Sequence, residues 1–309
     1  MNERTFKLSF KAPVHFGMGR LSDGVCCCDA ATLFSALFIE AMRLGVDSEL
    51  LDAVHAGDLL ISDAFPFAGD TLYLPKPMLM VEHEDEPGHQ SDSRARKASK
   101  KLPYIPAARM GEYLSGRLDV ITVLNQYQQS IGKPFLQTKV NLTYESKPEA
   151  DPYHVGGFVF KPAAGIYFIA RGSYDLTPLL DQLQYSGIGG ERTSGYGRFE
   201  YSVQLGNPAG KVSAAGETRG VGVLLSTAMP TDNELCDSLL DGARYRLVRR
   251  SGFVQSPTYA TTPQKRRDMY PFAAGSVFVK RFAGDVYDAS TQRGGHPVWR
   301  YARAMWMEV

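Results

Sequence analysis

The sequence predicts an α+β protein of two tandem units, and three observations carry that reading. Apolar residues alternate with polar ones at the period of a half-buried strand in some segments, and recur at helical spacing beside capping residues in others. A Gly/Ala/Ser-rich stretch at 206–218, GNPAGKVSAAGET, divides the chain, and a second series of strand-like segments starts after it. With 309 residues and 44% hydrophobic composition, the chain has the length and apolar content for two cores.

Phe6, Leu8, Phe10 and Ala12 alternate with Thr5, Lys7, Ser9 and Lys11, which predicts a first strand. Ala30, Leu33, Phe34, Leu37, Ala41 and Leu44 form one face of a helix, capped by Asp29 and stopped near Gly45. LLISDAFPF (59–67) and TLYLPKPMLMVE (71–82) read as two more strands. HEDEPGHQSDSRARKASKK (83–101) is charged and poor in apolar residues, which predicts a mobile segment; with the mixed stretch 102–150 it makes an insertion of about residues 82–150. YHVGGFVF (153–160) and GIYFIARG (165–172) predict a hairpin returning the chain to the sheet. Thr177 as N-cap and Pro178 in the first turn open a helix that ends at Gly187, and Phe199, Tyr201, Val203 and Leu205 alternate as the closing strand. The order is βαββαβ, that of a ferredoxin-like (RRM-like) domain over 1–215 with a charged insertion. In 216–309, Asp232 is placed to cap a short helix through Leu240, with strands expected at 244–250, 275–282 and 297–308: a second, degraded ferredoxin-like domain.

Composition excludes several classes of function. The net charge is +1, so binding of a polyanion must come from local basic patches and not from the field of the whole molecule. MNERTFKLSF lacks the apolar core of a signal peptide, and no apolar run approaches the roughly 18 residues that cross a bilayer; the expectation is a cytoplasmic protein with no membrane partner. Cys26, Cys27 and Cys28 are contiguous and Cys236 is remote, which fits neither a disulfide framework nor a zinc site. His83, Glu84, Asp85 and His89 match no metal-ligand spacing, and no paired catalytic carboxylates or Ser-His-Asp set can be read. Neither metal nor cofactor is expected.

The most informative stretch is SGIGGERTSGYGRFE, 186–200, which carries five glycines with Arg192 and Arg198. Mononucleotide and dinucleotide sites place such glycines after a strand and before a helix. Here the loop leaves a helix and enters a strand, and it lacks Gly-Lys-Ser/Thr, which argues against that kind of site. Two readings stay open: exposed amides and arginines that take a phosphate or ribose, or glycines that close a turn and let two elements pack.

Helix, GIGGERTSGYGRF, then strand resembles the glycine-rich loop of the RAMP (repeat-associated mysterious protein) superfamily of CRISPR RNA-binding proteins. LSFKAPVHFGMGRLSDG followed by DAATLFSALFIEAM is similar to the N-terminus of the subunit that holds the 5′ tag of the guide RNA in type III-A (Csm) effector complexes. YRLVRRSGFVQS, FAAGSVFVKRF and HPVWRYARAM resemble that subunit's second domain. The resemblance implies a non-catalytic protein with two ferredoxin-like folds. It implies partners as well: the guide RNA (crRNA), the large polymerase-like subunit, backbone RAMP subunits, and target RNA nearby. The residues it points to for RNA binding are His15, Gly17, Arg20 and Ser35; Gly187, Gly189, Gly190, Glu191, Arg192, Thr193, Ser194, Gly195 and Tyr196; and Arg249 with Arg250. A metal-independent endoribonuclease that processes the precursor transcript, with His15 as general base, is the alternative.

Other basic groups remain to be placed. Arg94, Arg96, Lys97, Lys100 and Lys101 put five cations in eight residues, either a solvated run or an arm that grips phosphates. Lys265 to Arg267 and Lys280 with Arg281 add basic clusters to the second unit. HVGGFVF lacks the basic and first aromatic positions of the RRM ribonucleoprotein motif and reads as a plain strand.

Overall fold

The first strand, β1 (Glu3–Phe10), forms where the alternation places it, between β8 (Ala164–Gly172) and the edge strand β9 (Phe199–Leu205). β8 in turn pairs with β2 (Leu59–Ile61) and β3 (Phe65–Ala68), and the sheet continues through β4 (Thr71–Pro75) to β5 (Tyr104–Pro106). The pairings are antiparallel throughout. The computed structural model describes residues 3–81, 93–141, 151–208, 220–254, 256, 258–291 and 294–309.

Helix α1 (Ala30–Leu44) is capped as its sequence implies: Asp29 Oδ1 accepts the Thr32 N–H at 2.7 Å, and Gly45 ends it in the left-handed region at φ 74°. It packs on α2 (Asp47–Ala56) and α6 (Thr177–Ser186). α6 starts one residue earlier than expected, because Asp175 and not Thr177 supplies the capping oxygen, accepting the Thr177 N–H and hydroxyl at 3.1 and 2.8 Å.

β8 explains how the layers are arranged. Successive side chains of a strand point to opposite faces, and in β8 both faces are buried. Ile166, Phe168 and Ala170 pack with Phe6, Phe34 and Leu180 under α1 and α6. Tyr167 and Ile169 face the other way, into a core shared with Phe65, Val223, Met305 and Met307. Residues from beyond 220 therefore roof the second face of the first sheet.

That covering half holds a three-stranded sheet of β10 (Gly222–Leu224), β11 (Val277–Phe278) and β14 (Trp306–Glu308), and a hairpin of β12 (Val286–Asp288) with β13 (Trp299–Tyr301). It is more irregular than the sequence suggests. The helix expected from Asp232 is a single turn at Asp237–Leu239, since Glu234 is taken up by bonds to Thr231, Ala283 and Gly284. The strand expected at 244–250 is a loose ribbon bridging to 269–277 at Arg244, Leu247 and Arg250. The expected strands at 275–282 and 297–308 shrink to β11 and to β13 and β14, which belong to different sheets.

Two other expectations are corrected. β7 (Asp151–Phe160) does not form a hairpin with β8; it pairs along its length with β6 (Gly132–Asn141), while β8 enters the main sheet. Its Gly156–Gly157 pair has a packing reason, because a Cβ on Gly156 would lie 2.2 Å from the Ser22 carbonyl oxygen. The cationic run is no loose arm either: residues 93–101 form α3 (Ser93–Lys101), which packs on α5 (Val120–Ser130), with α4 (Met110–Leu114) between them in the chain. His83, Glu84, Asp85 and His89, and most of the 206–218 stretch, lie outside the described residues. Among the described residues no helix is long and apolar enough to cross a membrane.

Candidate nucleic-acid interface

Where the glycine loop meets the segment after β1, the first half of α1 and the 244–253 ribbon, a cleft of about 360 Å³ opens. His15, Gly17, Ser35, Gly189, Gly190, Arg192 and Arg250, residues more than 230 positions apart at their extremes, line it together. Asp29, Thr32, Arg266 and Arg300 join them.

His15 is buried, and its ring Nδ1 lies 2.5 Å from the Gly156 carbonyl oxygen. A carbonyl only accepts, so Nδ1 carries the proton, and in the neutral ring Nε2 keeps its lone pair beside Gly17. The glycine loop closes on this segment. Gly190 donates its N–H to the His15 carbonyl at 2.9 Å, and Gly197 donates to Pro13 at 2.9 Å. A Cβ on Gly190 would stand 2.5 Å from His15 Cδ2, and one on Gly189, at φ 96°, would stand 2.6 Å from the His15 oxygen. These two glycines are needed for close packing. Amides expected to meet phosphate are in part spent inside the protein.

The charge in the cleft comes from arginines. Arg250 Nε lies 2.6 Å from Asp29 Oδ2, and Arg300 Nη1 donates to Ser35 Oγ at 2.7 Å. Ser35 in turn donates to the Ala31 carbonyl, so the helix fixes the serine and the serine fixes the guanidinium. Arg300 is pushed down to about 10, foremost by burial and then by the positive charges of Arg266 and Arg250, against the pull of Asp29. Arg266 is lowered as well, by burial first. Burial pushes the Asp29 carboxyl up, but Arg250, Arg300 and the Thr32 bonds outweigh it and hold it below the usual range. Arg192, Arg250, Arg266 and Arg300 line the cleft with Asp29 as its one lining carboxylate.

Several expected residues are elsewhere. Arg249 pairs with Asp268 at 2.7 Å on the opposite side of the ribbon, because neighbours on an extended chain point opposite ways. Glu191 is ion-paired with Lys139 of β6, and the Tyr196 hydroxyl donates to Gln137 Oε1 at 2.7 Å, so both fasten the loop to the β6–β7 hairpin. Gly187 is buried, while Thr193 and Ser194 are exposed and Gly195 half-buried in a turn outside the cleft lining. Arg20 is exposed on the loop past Gly17, also outside it. The sequence marks Arg266 only within the Lys265–Arg267 cluster and does not mark Arg300. The first is one of three adjacent cations, and the second sits between Trp299 and Tyr301 in a strand whose inward face the alternation alone does not assign. Cys26, Cys27 and Cys28 are free and half-buried beside the cleft, and among the described residues no group of three or more His, Cys, Asp or Glu could hold a metal.

Comparison with known proteins agrees along the whole chain. The family described as CRISPR Csm4 C-terminal domain matches residues 219–309. The CRISPR system Cms protein Csm4 of Mycobacterium tuberculosis is 39% identical over 313 residues, covering 100% of this chain and 98% of the relative. The protein of the same name from Streptococcus thermophilus is 31% identical over 311 residues, covering 96% and 95%. Among solved structures, a Csm3–Csm4 subcomplex of the type III-A CRISPR-Cas interference complex matches with a TM-score of 0.65 at 15% identity, covering 100% of this chain and 99% of that one. A Csm1–Csm4 cassette in complex with AMPPNP matches at 0.63 and 20% identity, covering 100% and 98%. At those identities the structures establish a shared mixed α/β fold with antiparallel sheets. The curated relatives establish more: this chain belongs to the Csm4 family of CRISPR proteins.

Proposed function

We propose that the protein is a non-catalytic subunit of a type III-A effector complex in antiviral defence, that its arginine-lined cleft holds the 5′ tag of the guide RNA, and that it anchors the large subunit beside the backbone RAMP subunits. The observation that carries this reading is the charge imbalance of the cleft. Four arginines line the cleft with one carboxylate, and Arg300, lowered first by burial, is lowered further by Arg266 and Arg250, a repulsion that an anion in their midst relieves. Assembly with a large and a backbone subunit is what the names of the solved relatives, a Csm1–Csm4 cassette and a Csm3–Csm4 subcomplex, support. We also read 1–215 and 216–309 as two ferredoxin-like units. The strand order of the first sheet and the placement of α1 and α6 on one face of it support the first unit.

One observation favours the ribonuclease alternative, since His15 lines the cleft and its bond to Gly156 leaves ring Nε2 as the nitrogen that a general base would use. Two measurements decide. Co-expressed with the other subunits and a repeat array, the chain is expected to co-purify with guide RNAs sharing one 5′ end, and Arg192→Ala with Arg266→Ala is expected to reduce that retention several-fold. Retention unchanged by both substitutions contradicts the cleft assignment. Incubated with repeat RNA in chelator, the purified chain is expected to leave it intact; cutting abolished by His15→Ala would establish the ribonuclease.

A further inference from the structure

The arginine cleft does not end at Asp29. Met18, Cys27, Cys28, Asp29 and Arg250 also border a second groove of about 610 Å³, so the two hollows adjoin along these residues. The walls of this groove come from the 244–250 ribbon, the C-terminal end of α3 and the approach to β5. Extended geometry turns Arg246 and Arg250 toward it while Arg249 turns away. On the facing wall α3 ends in Lys100 and Lys101, and Lys76 stands at its foot, its ammonium bonded to the Ser99 carbonyl.

The carboxylates of this groove are already engaged. Asp29 caps α1 and faces Arg250. Asp63 accepts the Ala30 and Thr227 N–H groups at 2.8 and 2.7 Å and the Thr227 hydroxyl at 2.7 Å. Lys100, Lys101 and Arg246 are exposed, so three cations line the groove with no lining carboxylate left to answer them. Between them the lining is partly apolar, with Met18 exposed and Val25, Met78 and Val248 half-buried.

We infer that the groove is a second polyanion site, in which a single-stranded RNA leaving the arginine cleft runs on past Arg246 with its phosphates against Lys100 and Lys101. The inference rests on the arginine cleft being an RNA site, and it gives the cationic run a role: α3 is the far bank of the groove. Exposed cations on both banks with apolar side chains between them suit a nucleic-acid strand, whose charges repeat while its bases seek apolar surface. An acidic peptide would meet the same charges without using those apolar side chains.

The test compares two labelled single-stranded RNAs, of about four and about ten nucleotides, binding to the purified full chain across a salt series. Each phosphate neutralised on a single strand contributes about 0.7 to the slope of log affinity against log salt. Lys100→Ala, Lys101→Ala and Arg246→Ala combined are expected to lower the slope for the longer RNA by about 2, three such contacts, and to leave the shorter unchanged. All three side chains are exposed, so the melting temperature is expected to hold, which separates loss of contact from loss of fold. An unchanged slope for the longer RNA, or equal losses for both lengths, overturns the inference. If neither RNA binds the unaltered chain, the cleft assignment falls and this one with it. If a polyglutamate peptide binds and only its binding is lost in the triple variant, the groove is a peptide site and the inference is wrong.

Discussion

His15 shows how one side chain organises a site without holding its charge. Its carbonyl takes the Gly190 N–H, its ring proton goes to Gly156, and its edge is covered by the glycine loop. The glycine pattern was legible as a special loop, but whether it served ligand or packing could not be read, because a residue without a Cβ suits both. The structure gives Gly189 and Gly190 to packing and Arg192 to the cleft, and the two roles separate experimentally. Gly190→Ala forces the imidazole aside, so RNA affinity and melting temperature are expected to fall together, with stability down by about 1–3 kcal/mol. Arg192→Ala is expected to weaken RNA binding several-fold while the melting temperature stays within experimental error. Thermal melts and filter binding on both variants check this, and a glycine variant that loses affinity alone would return the loop to direct backbone recognition.

At the scale of elements, legibility followed local chemistry. β1, α1 with its Asp29 cap and Gly45 stop, and β9 were readable because alternation and caps are written within a dozen residues. The sequence does not fix the partner of β7, because strand pairing is decided by what lies across the gap, and β6 is as good a neighbour in sequence as β8. The most informative junction between elements, Asp63, carried no signal at all. It joins the first turn of α1, through Ala30, to the chain after β10, through Thr227. Burial first and the charge of Asp29 second push Asp63 up from 3.8 to about 6, although its bonds from Thr227 and Ala30 pull the other way. Between those values the folded protein binds more protons than the unfolded chain, so this group's contribution to stability falls as pH rises from about 4 to about 6 and is constant above. Asp29, depressed, acts below that window and with the opposite sign. Asp63→Asn keeps an oxygen for both N–H donors and removes the titration. It is expected to flatten the stability profile between pH 4 and 6, and to gain up to about 3 kcal/mol relative to the parent at neutral pH. Denaturant melts at several pH values test it; a variant that keeps the parent's slope there would show that Asp63 titrates normally.

For the whole molecule, the 206–218 stretch suggests two tandem units, but the sequence does not show that residues on its two sides share cores. Phe65, Tyr167 and Ile169 from one side of that stretch pack with Val223, Met305 and Met307 from the other, and Tyr301 reaches the cluster under α1. The Tyr301 hydroxyl also accepts the Ile61 N–H at 2.8 Å. Alternation identifies a buried face but not its partner, so it does not show that the two faces of β8 belong to two different cores. If the shared core dominates, neither half is stable alone and the chain unfolds in one step. The molecule supplies its own probes, since Trp299 and Trp306 are its two tryptophans and both lie in the second half, whereas helices α1 to α6 lie in the first. Tryptophan fluorescence therefore follows one half and far-ultraviolet circular dichroism the other. In urea the two curves are expected to share one midpoint and one slope, because removing the Met305–Met307 segment strips the outer face of β8. Separate midpoints, with fluorescence changing before the helices melt, would mean that 216–309 opens independently and that the arginine cleft, built from both halves, can come apart while the first sheet stays folded.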